Sequence, residues 1–408
     1  MAQIKAFKGL LYNSSKVKIE NVISPPYDII SEEGRDYFYN LSPYSVIRLI
    51  LNNSGSPYKE ARRILESWIE EKILVFDDAE SIYLCRQTFD YRGKSYSRYG
   101  FISLLKLEEP GSKILPHEKT YQGPKEDRFN LLKEVETNLS PIFVTFSDKG
   151  KKLLNIFKEI EKTEAVFNFD FENITYSFWK IIDKDVIGQF ENTMSGKYIL
   201  IADGHHRYES ALNYRNIKRK ENPAKKEEEY DYVMSFFAPI EQEGLLILPT
   251  HRIINLKGGY NGVAEKLAEY FEVAEYDSKE KLFNELSLQN CPSFGSCLRG
   301  RLYLLKIKET VRNEFQKDNE PLSKLDVSVL HKLIFNDILE YHGVVCYTQD
   351  EDEVIKQVQE DESLAAFFMR AASMEQIVDV AEKKLLMPQK STYFYPKIPT
   401  GLVFHKFN

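Results

Sequence analysis

The stretch YILIADGHHRYESAL, residues 198–212, decides the expected fold. Its first half is an apolar run of the kind that forms a buried β-strand. Its second half places Tyr208 and Leu212 at helical spacing. Asp203 and Gly204 separate the two halves, and glycine is the residue that most readily makes a sharp turn. The pattern therefore predicts a strand, a tight turn and a helix.

Three potential cations open the predicted helix, and this placement needs a physical reason. The first amide groups of a helix lack partners and the helix dipole is positive at this end, so added cations repel the turn and one another. A bound phosphate would remove the conflict. Gly204 would let the backbone approach the phosphate, Arg207 could bind its oxygens bidentately, and one of the histidines could add a donor. The predicted catalytic residues of the turn are Asp203, which could also hold Mg²⁺, and His205.

A purely structural interpretation of the same turn stays open at this point. Arg207 would then pair with an acid such as Glu209, and the two histidines would cap the helix or pack against it. The junction of an acid, a glycine, two histidines and an arginine favours the functional interpretation.

A second candidate site lies in the segment ILPHEKTYQG, where His117 and Glu118 follow a short apolar strand and a proline. Glu118 could act as a general base that takes a proton from a hydroxyl nucleophile. An ordinary loop carboxylate is the alternative. His117 is a candidate phosphate ligand. Arg128, a little further along the chain, could add a phosphate contact, or it could belong to a solvated helix start.

Three further segments carry candidate ligands. In SPPYDIIS two prolines hold the backbone, so Tyr27 and Asp28 could line a substrate pocket or a structural turn. In LPTHRII two basic residues come at the end of an apolar run, and in PQKSTYFYPK two polar residues could contact a substrate. The candidates in these last two segments are His251 and Arg252 for phosphate, and Lys390 and Ser391 for the substrate pocket.

Composition limits the classes of function. The 408 residues are 43% hydrophobic and carry a formal charge of −7, which argues against a general nucleic-acid-binding surface. No window has the ~18 apolar residues of a membrane span, and the first residues are too polar for a signal peptide. We therefore expect a cytoplasmic protein. The four cysteines lack zinc-site spacing, and a disulfide between Cys291 and Cys297 is a minor alternative to free thiols.

The alternation of helical and strand patterns predicts a mixed α/β, that is α+β, protein. Residues 58–74 should form an amphipathic helix, and residues 81–107 a β-hairpin around Arg92 and Gly93. The runs DYVMSFFAPI and GLLILPTHRII are expected to pair with each other. We predict an N-terminal region at 1–255 and a C-terminal α/β domain at 256–408.

The chain resembles a known family in several motifs. The segment ADGHHRYESA is similar to the nucleotide-binding signature of the ParB/sulfiredoxin superfamily, and its D-G-H-H-R form is most similar to the free-serine kinases of that superfamily. Across nearly the whole chain the protein resembles a bacterial and archaeal family catalogued as a domain of unknown function. The motifs that carry this second resemblance are SPPYDIIS, LPHEKT, ADGHHRYESAL, LPTHRII and MPQKSTYFYPKIPTGLVF.

The resemblance implies a ParB/sulfiredoxin-like nucleotide-binding core at about residues 100–250. It implies that His206 and Arg207 bind nucleotide phosphates, and that Glu118 is the base. ATP or ADP with Mg²⁺ would then be the cofactors. The familiar nucleotide motifs G-x-x-x-x-G-K-[ST] and G-x-G-x-x-G do not occur in the sequence.

These features together support a nucleotide-dependent phosphotransferase that acts on the hydroxyl of a small metabolite, with free L-serine as the specific expectation. A phosphatase acting on phosphoserine or a similar phosphomonoester would use the same anion site. A nucleotide-sensing or scaffold protein is the alternative from another class. A weaker hypothesis is a metal-dependent hydrolase built from His117, Glu118, Asp203, His205 and His206.

Overall fold

The computed structural model describes residues 2–109, 112–120, 122–256, 262–317 and 320–407, and these residues form an α+β protein. The chain divides into two compact units. Unit 1 consists of Met1–Pro116, Thr120–Leu246 and Pro396–Asn408, and unit 2 consists of His117–Lys119 and Ile247–Tyr395. The predicted division after residue 255 falls inside unit 2, and the ParB/sulfiredoxin-like character of residues 100–250 stays a prediction.

Unit 1 contains most of the strands in the first part of the chain. They are β1 (Ile4–Lys5), β2 (Leu10–Tyr12), β3 (Leu74–Phe76), β4 (Ile82–Tyr91), β5 (Lys94–Lys106), β6 (Ile114–Leu115), β7 (Thr137–Asn138), β8 (Ile142–Phe146), β9 (Phe167–Phe171), β10 (Ile174–Ile181), β11 (Ile199–Asp203) and β12 (Tyr232–Pro239). Its α-helices are α1 (Glu32–Leu41), α2 (Ile47–Ile50), α3 (Pro57–Glu70), α4 (Gln122–Val135), α5 (Lys152–Ile160), α6 (Lys184–Met194) and α7 (His205–Glu221).

The main sheet of unit 1 has the strand order β6-β11-β8-β12-β5-β4-β10-β9, and β1 also pairs with β5. The predicted hairpin is confirmed as β4 and β5, where Tyr91 pairs with Lys94. Arg92 and Gly93 both have positive φ, as a two-residue turn between twisted strands requires. The helix predicted at 58–74 is confirmed as α3 at Pro57–Glu70, but its last four residues lie outside the helix and Leu74 begins strand β3.

The pairing partners of strand β12 differ from those that the sequence predicts. It pairs with β8 on one side and with β5 on the other, so both of its edges are used. The predicted pairing of residues 231–240 with residues 244–254 is therefore wrong. An apolar run indicates a buried strand but carries no information on which strand it will pair with.

The core of unit 1 packs helices against this sheet. The rings of Phe101 on β5 and Phe237 on β12 stack with their centroids 4.7 Å apart, and Phe190 of α6 packs edge-on against Phe101. Helix α7 is anchored to the same core through Tyr208 and Leu212, which are both buried. The turn between β11 and α7 is thus held by a buried strand on one side and a packed helix on the other.

Most of the later elements belong to unit 2. From Leu246 onward the strands are β13 (Leu246–Leu248), β14 (His251–Asn255), β15 (Phe271–Tyr276), β16 (Ser293–Leu298), β17 (Arg301–Ile307), β18 (Cys346–Thr348), β19 (Leu364–Phe368), β20 (Tyr393–Tyr395) and β21 (His405–Lys406), the last in unit 1. The helices are α8 (Val263–Tyr270), α9 (Lys279–Leu288), α10 (Glu309–Phe315), α11 (Asp326–Val329), α12 (Glu351–Glu360) and α13 (Met374–Glu382), with a π-helix at Leu330–Ile338.

Unit 2 is built on an antiparallel sheet with the order β15-β17-β16-β19-β14-β18. Its core contains Leu282 of α9, Val354 of α12 and Phe368 of β19. His251 and Arg252 begin strand β14 rather than end an apolar strand, which corrects the sequence-based placement. Both side chains are consequently buried within unit 2.

Two chemical expectations can be compared with the structure. Cys85, Cys291, Cys297 and Cys346 all lie in the described part of the chain and are free thiols, so the alternative of a disulfide between Cys291 and Cys297 is wrong. Among the described residues, no helix is both long and apolar enough to cross a bilayer.

Candidate functional site

The turn between β11 and α7 forms as the sequence predicts. Strand β11 pairs in parallel with β6 and antiparallel with β8, and its register with β8 shifts between Ile201 and Asp203. Gly204 follows with φ of 92° and is the N-cap of α7. The first bond of the helix runs from the amide of Tyr208 to the carbonyl of Gly204, at 3.0 Å. His205 and His206, both half-buried, are the first two helical residues.

The carboxylate of Asp203 holds two cations. Its Oδ2 accepts a hydrogen bond from Nη2 of Arg207 at 2.9 Å, and its Oδ1 accepts one from Nζ of Lys397 at 2.6 Å. All three side chains are largely buried, with exposed fractions of 17%, 13% and 10% respectively. We call Asp203, Arg207, Lys397 and Ser140 the Asp203 cluster. Arg207 thus pairs with an acid, as the structural interpretation of the turn suggested, but the acid is Asp203 and not Glu209.

Arg207 holds the turn through hydrogen bonds to the segment before β8. Its Nη1 donates to Oγ of Ser140 at 2.9 Å and to the carbonyl of Pro141 at 2.6 Å. A Cβ atom on Gly204 would lie 3.0 Å from Nη2 of Arg207 and 3.0 Å from Cγ2 of Ile142, so the glycine makes room for the guanidinium. Both terminal nitrogens of Arg207 are therefore in use, while its buried Nε has no hydrogen-bond partner within the described part of the chain.

Glu209 has a different role from the one considered in the sequence. Its carboxylate accepts hydrogen bonds from Nζ of Lys125 at 3.0 Å and from Oγ1 of Thr120 at 3.0 Å. These contacts, with a bond from Oγ of Ser210 to the carbonyl of Lys125, tie α7 to α4. Glu209 therefore fixes helix packing and leaves Arg207 to Asp203.

Tyr27 and Arg128, predicted separately, lie together in unit 1. The guanidinium of Arg128 sits 4.1 Å from the centre of the Tyr27 ring, and its Nη2 donates to the carbonyl of Ile50 at 3.0 Å. Burial raises the pKa of the Tyr27 hydroxyl to about 12, and Arg207 and Asp203 contribute smaller opposing effects. Arg128 and Arg207 line one small cavity of about 60 Å³. Asp28 follows Tyr27 in a short 3₁₀ turn and is exposed.

The predicted base, Glu118, lies in unit 2 and is held by the segment before β20. Its Oε1 accepts hydrogen bonds from the amides of Ser391 and Thr392, at 3.1 Å and 3.0 Å, and from Oγ1 of Thr392 at 2.8 Å. Nε2 of His117, fully buried, lies 2.9 Å from the same hydroxyl. These contacts give Glu118 a clear structural role as the carboxylate that fixes residues 391 and 392.

Arg252 is buried near this segment. Its side chain is 1% exposed, its Nη1 donates to the carbonyl of Thr250, and its Nη2 donates to the carbonyl of Lys390 at 2.9 Å. Within the described residues no carboxylate lies within ion-pair distance of it and its Nε has no hydrogen-bond partner. Burial lowers the pKa of Arg252 to about 10. His251 accepts a hydrogen bond at Nδ1 from the amide of Met369, at 3.1 Å.

The predicted site residues thus form two groups. Those in unit 1 are Tyr27, Asp28, Arg128, Asp203, Gly204, His205, His206 and Arg207, and those in unit 2 are His117, Glu118, His251, Arg252, Lys390 and Ser391. Sequence reasoning missed Lys397 and Ser140 of the Asp203 cluster. Lys397 did stand inside a quoted motif, but nothing in that motif connects it with an acid 194 residues earlier.

The predicted site residues of unit 1 and unit 2 do not form a metal site among the described residues. In the part of the chain that the structure describes, no cluster of three or more His, Cys, Asp or Glu side chains could hold a metal. The two oxygens of Asp203, the predicted Mg²⁺ ligand, already serve Arg207 and Lys397. Mg²⁺ would be a third positive ion at this carboxylate, so these residues do not fit it and we derive no step through it.

Comparison with known proteins identifies the family of this chain. The chain belongs to the family described as "Protein of unknown function (DUF1015)", whose model matches residues 4–328. No curated protein matches the chain in sequence.

Several solved structures are similar in part. SbnI with a C-terminal truncation from Staphylococcus aureus is 12% identical, with a TM-score of 0.40 over 73% of this chain and 85% of that one. A conserved hypothetical protein from Pyrococcus furiosus is 16% identical, with a TM-score of 0.34 over 71% and 90% of the two chains. A free serine kinase in complex with AMP is 13% identical, with a TM-score of 0.35 over 71% and 89%. Similarity at this level does not transfer a ligand or an activity.

Proposed function

We propose that this protein is a nucleotide-dependent phosphotransferase that acts on the hydroxyl of a small metabolite, with free L-serine as the first acceptor to test. The nucleotide phosphates would bind at the turn between β11 and α7. The observation that supports the proposal is the glycine N-cap of α7, followed directly by two histidines and an arginine.

The turn has the physical features that phosphate binding needs. Because Gly204 has no side chain, it cannot cap the amides of the first helical turn, and it allows close approach of a ligand to the backbone. The helix dipole adds positive potential at the same place. Helix α7 has 17 residues and is packed into the core, so the turn is rigid. A rigid donor set suits phosphoryl transfer, in which positioning and charge stabilisation supply most of the catalysis.

The Asp203 cluster refines which side chains would touch the phosphate. Bidentate binding by Arg207 would require it to release Asp203 or the oxygens of residues 140 and 141. We therefore propose that Arg207 and Lys397 hold the turn in shape and contribute positive potential. His206, at the start of the helix, would make the direct side-chain contact.

The chemical base is a separate question. A role for Glu118 remains a prediction that follows from the family resemblance, and its three hydrogen bonds to residues 391 and 392 are sufficient to explain why a carboxylate stands there. The proposal for the phosphate site does not depend on it.

Phosphorus NMR on the full chain tests the proposal, with ATP or ADP plus L-serine in one sample and phosphoserine alone in another. We expect phosphoserine to form from the nucleotide, and to form at least about tenfold more slowly in His206→Gln, which removes the imidazole but keeps a polar side chain. The matched control is His342→Gln, an exposed histidine of unit 2, which should behave as the native protein.

The other outcomes decide between the alternatives. Inorganic phosphate released from phosphoserine without nucleotide would replace the kinase with a phosphatase. A nucleotide that binds and changes the oligomeric state without turnover would favour a sensing or scaffold role. The absence of any nucleotide binding would overturn the proposal.

A further inference from the structure

A large cavity within unit 2 has no part in the proposed function. Its volume is about 620 Å³, within the range of small-molecule sites, and its walls include Arg252, Asn290, Asn313, Lys324, Arg370 and Gln376. All the lining residues belong to unit 2. We call it the Arg252 cavity. Its lining is rich in polar groups that could orient a ligand.

The charges around the Arg252 cavity do not balance. Four basic side chains line it, and Asp326 is the one carboxylate that lines it among the described residues. Asp326 is fully committed, because its two oxygens accept from Nε and Nη2 of Arg370 at 2.8 Å and 2.9 Å. Arg312 has a weak partner in Glu309, at 3.8 Å. The positive charges that remain are those of Arg252 and Lys324.

Arg252 is the side chain that makes this imbalance unusual. An unpaired charge removed from water costs free energy unless something compensates it. Arg252 is 1% exposed, donates to two backbone carbonyls and has no carboxylate within ion-pair distance among the described residues. The Glu118 carboxylate acts on it only from a longer distance, and its effect on the Arg252 pKa is smaller than that of burial. Its field also contributes to the lowered pKa of the neighbouring His331 imidazole, after the larger effect of burial. An anion in the cavity would supply the missing partner.

We propose that the Arg252 cavity binds the phosphate group of a small phosphorylated metabolite. A phosphomonoester carries close to two negative charges at neutral pH and so matches Arg252 and Lys324, the two lining cations with no carboxylate at ion-pair distance among the described residues. The volume leaves room for an organic portion of up to roughly nucleotide size. The side-chain carboxamides of Asn290, Asn313 and Gln376 provide hydrogen-bond donors and acceptors for it. A single phosphate group brings both charges and three acceptor oxygens to one place, which a dicarboxylate such as succinate does not.

Isothermal titration calorimetry of the full chain tests the proposal, with inorganic phosphate as the probe and succinate as the carboxylate comparison. We expect phosphate to bind, and Arg252→Met to weaken it by about tenfold or more, as the loss of a charge-assisted contact does. The matched control is Arg301→Met, which removes an arginine of unit 2 that lies outside the cavity and is 68% exposed.

Two further variants keep the result interpretable. Lys324→Ala changes an exposed residue and should weaken phosphate binding severalfold even if Arg252→Met fails to fold. His206→Gln separates this cavity from the turn of unit 1 and should leave calorimetric phosphate binding at the cavity intact. The proposal is overturned if the native protein binds no phosphate, if succinate binds more tightly than phosphate, or if His206→Gln abolishes binding while Arg252→Met and Lys324→Ala do not.

Discussion

Arg207 in helix α7 and Arg252 in strand β14 are both nearly buried, yet their charges have different partners. Arg207 has the carboxylate of Asp203 within 2.9 Å, and that carboxylate also holds Lys397. Arg252 has backbone carbonyls as its hydrogen-bond acceptors. A buried cation that forms an ion pair with a carboxylate needs no ligand, because the fold itself balances its charge. A buried cation without a carboxylate points to a ligand.

Removal of the carboxylate should give the largest effect. Asp203→Asn leaves two largely buried cations without their partner, and we expect it to lower the free energy of unfolding by about 3 kcal/mol. Urea denaturation followed by circular dichroism measures this. The control is Asp36→Asn, whose exposed pair with Arg35 should contribute less than about 0.5 kcal/mol. Equal effects in the two variants would show that the Asp203 cluster has no special role in stability.

The two arginines can be compared directly by the same substitution. Arg207→Met should cost about 2 kcal/mol, because it frees one side of the Asp203 carboxylate and two oxygens at residues 140 and 141. Arg252→Met should change stability by less than about 1 kcal/mol, because the loss of two backbone contacts is offset by removal of an unpaired buried charge. Denaturation curves of both variants would contradict the comparison if their order were reversed.

The glycine beneath Arg207 gives a smaller and more local effect. Gly204→Ala should destabilise the protein by about 1–2 kcal/mol, because a residue with a Cβ atom is strained at a φ of 92° and would press on the guanidinium. Gly188→Ala, within α6, has no described atom near its new methyl group and should stabilise the helix by up to about 1 kcal/mol. Thermal unfolding should therefore shift in opposite directions for the two variants.

The smallest expected effect is a change in the pKa of His331, which depends in part on the charge of Arg252. Burial, with a further contribution from Arg252, lowers the pKa of its imidazole to about 4 from the ordinary 6.5. Between these values the unfolded chain binds more protons than the folded one, so stability should fall as the pH drops through this window. In Arg252→Met an NMR titration of His331 should show a higher pKa than in the native protein. An unchanged value would mean that the Arg252 charge is compensated.

The comparison also shows what a sequence can predict. The strand, glycine turn and helix at residues 198–212 are local features, and so are α3 and the hairpin of β4 and β5, because each follows from side-chain periodicity and turn chemistry. The pairing of β12 with β8 and β5 was missed because it depends on contacts far apart in the chain. Local sequence patterns therefore predict individual helices and strands, whereas strand pairing depends on long-range packing that these patterns do not show.

The candidate site divides along the same line. The sequence identified Asp203, Gly204 and Arg207 as a group because they are neighbours in the chain. It identified Arg252 as a basic residue but gave no sign that the side chain would be buried without a carboxylate. The partner Lys397 was not identified, because an ion pair across 194 residues leaves no local pattern.

The division of unit 1 along the chain has a consequence for biosynthesis. Residues 247–395 of unit 2 stand in the sequence between the body of unit 1 and its closing segment at 396–408. On the ribosome, Asp203 can meet Arg207 early, since Arg207 is only four positions further along the chain. Lys397 emerges only after all of residues 247–395 have been made. Until then the nascent protein carries the turn with one of its two cations, so the last step in assembling the Asp203 cluster waits for the translation of residues 247–395.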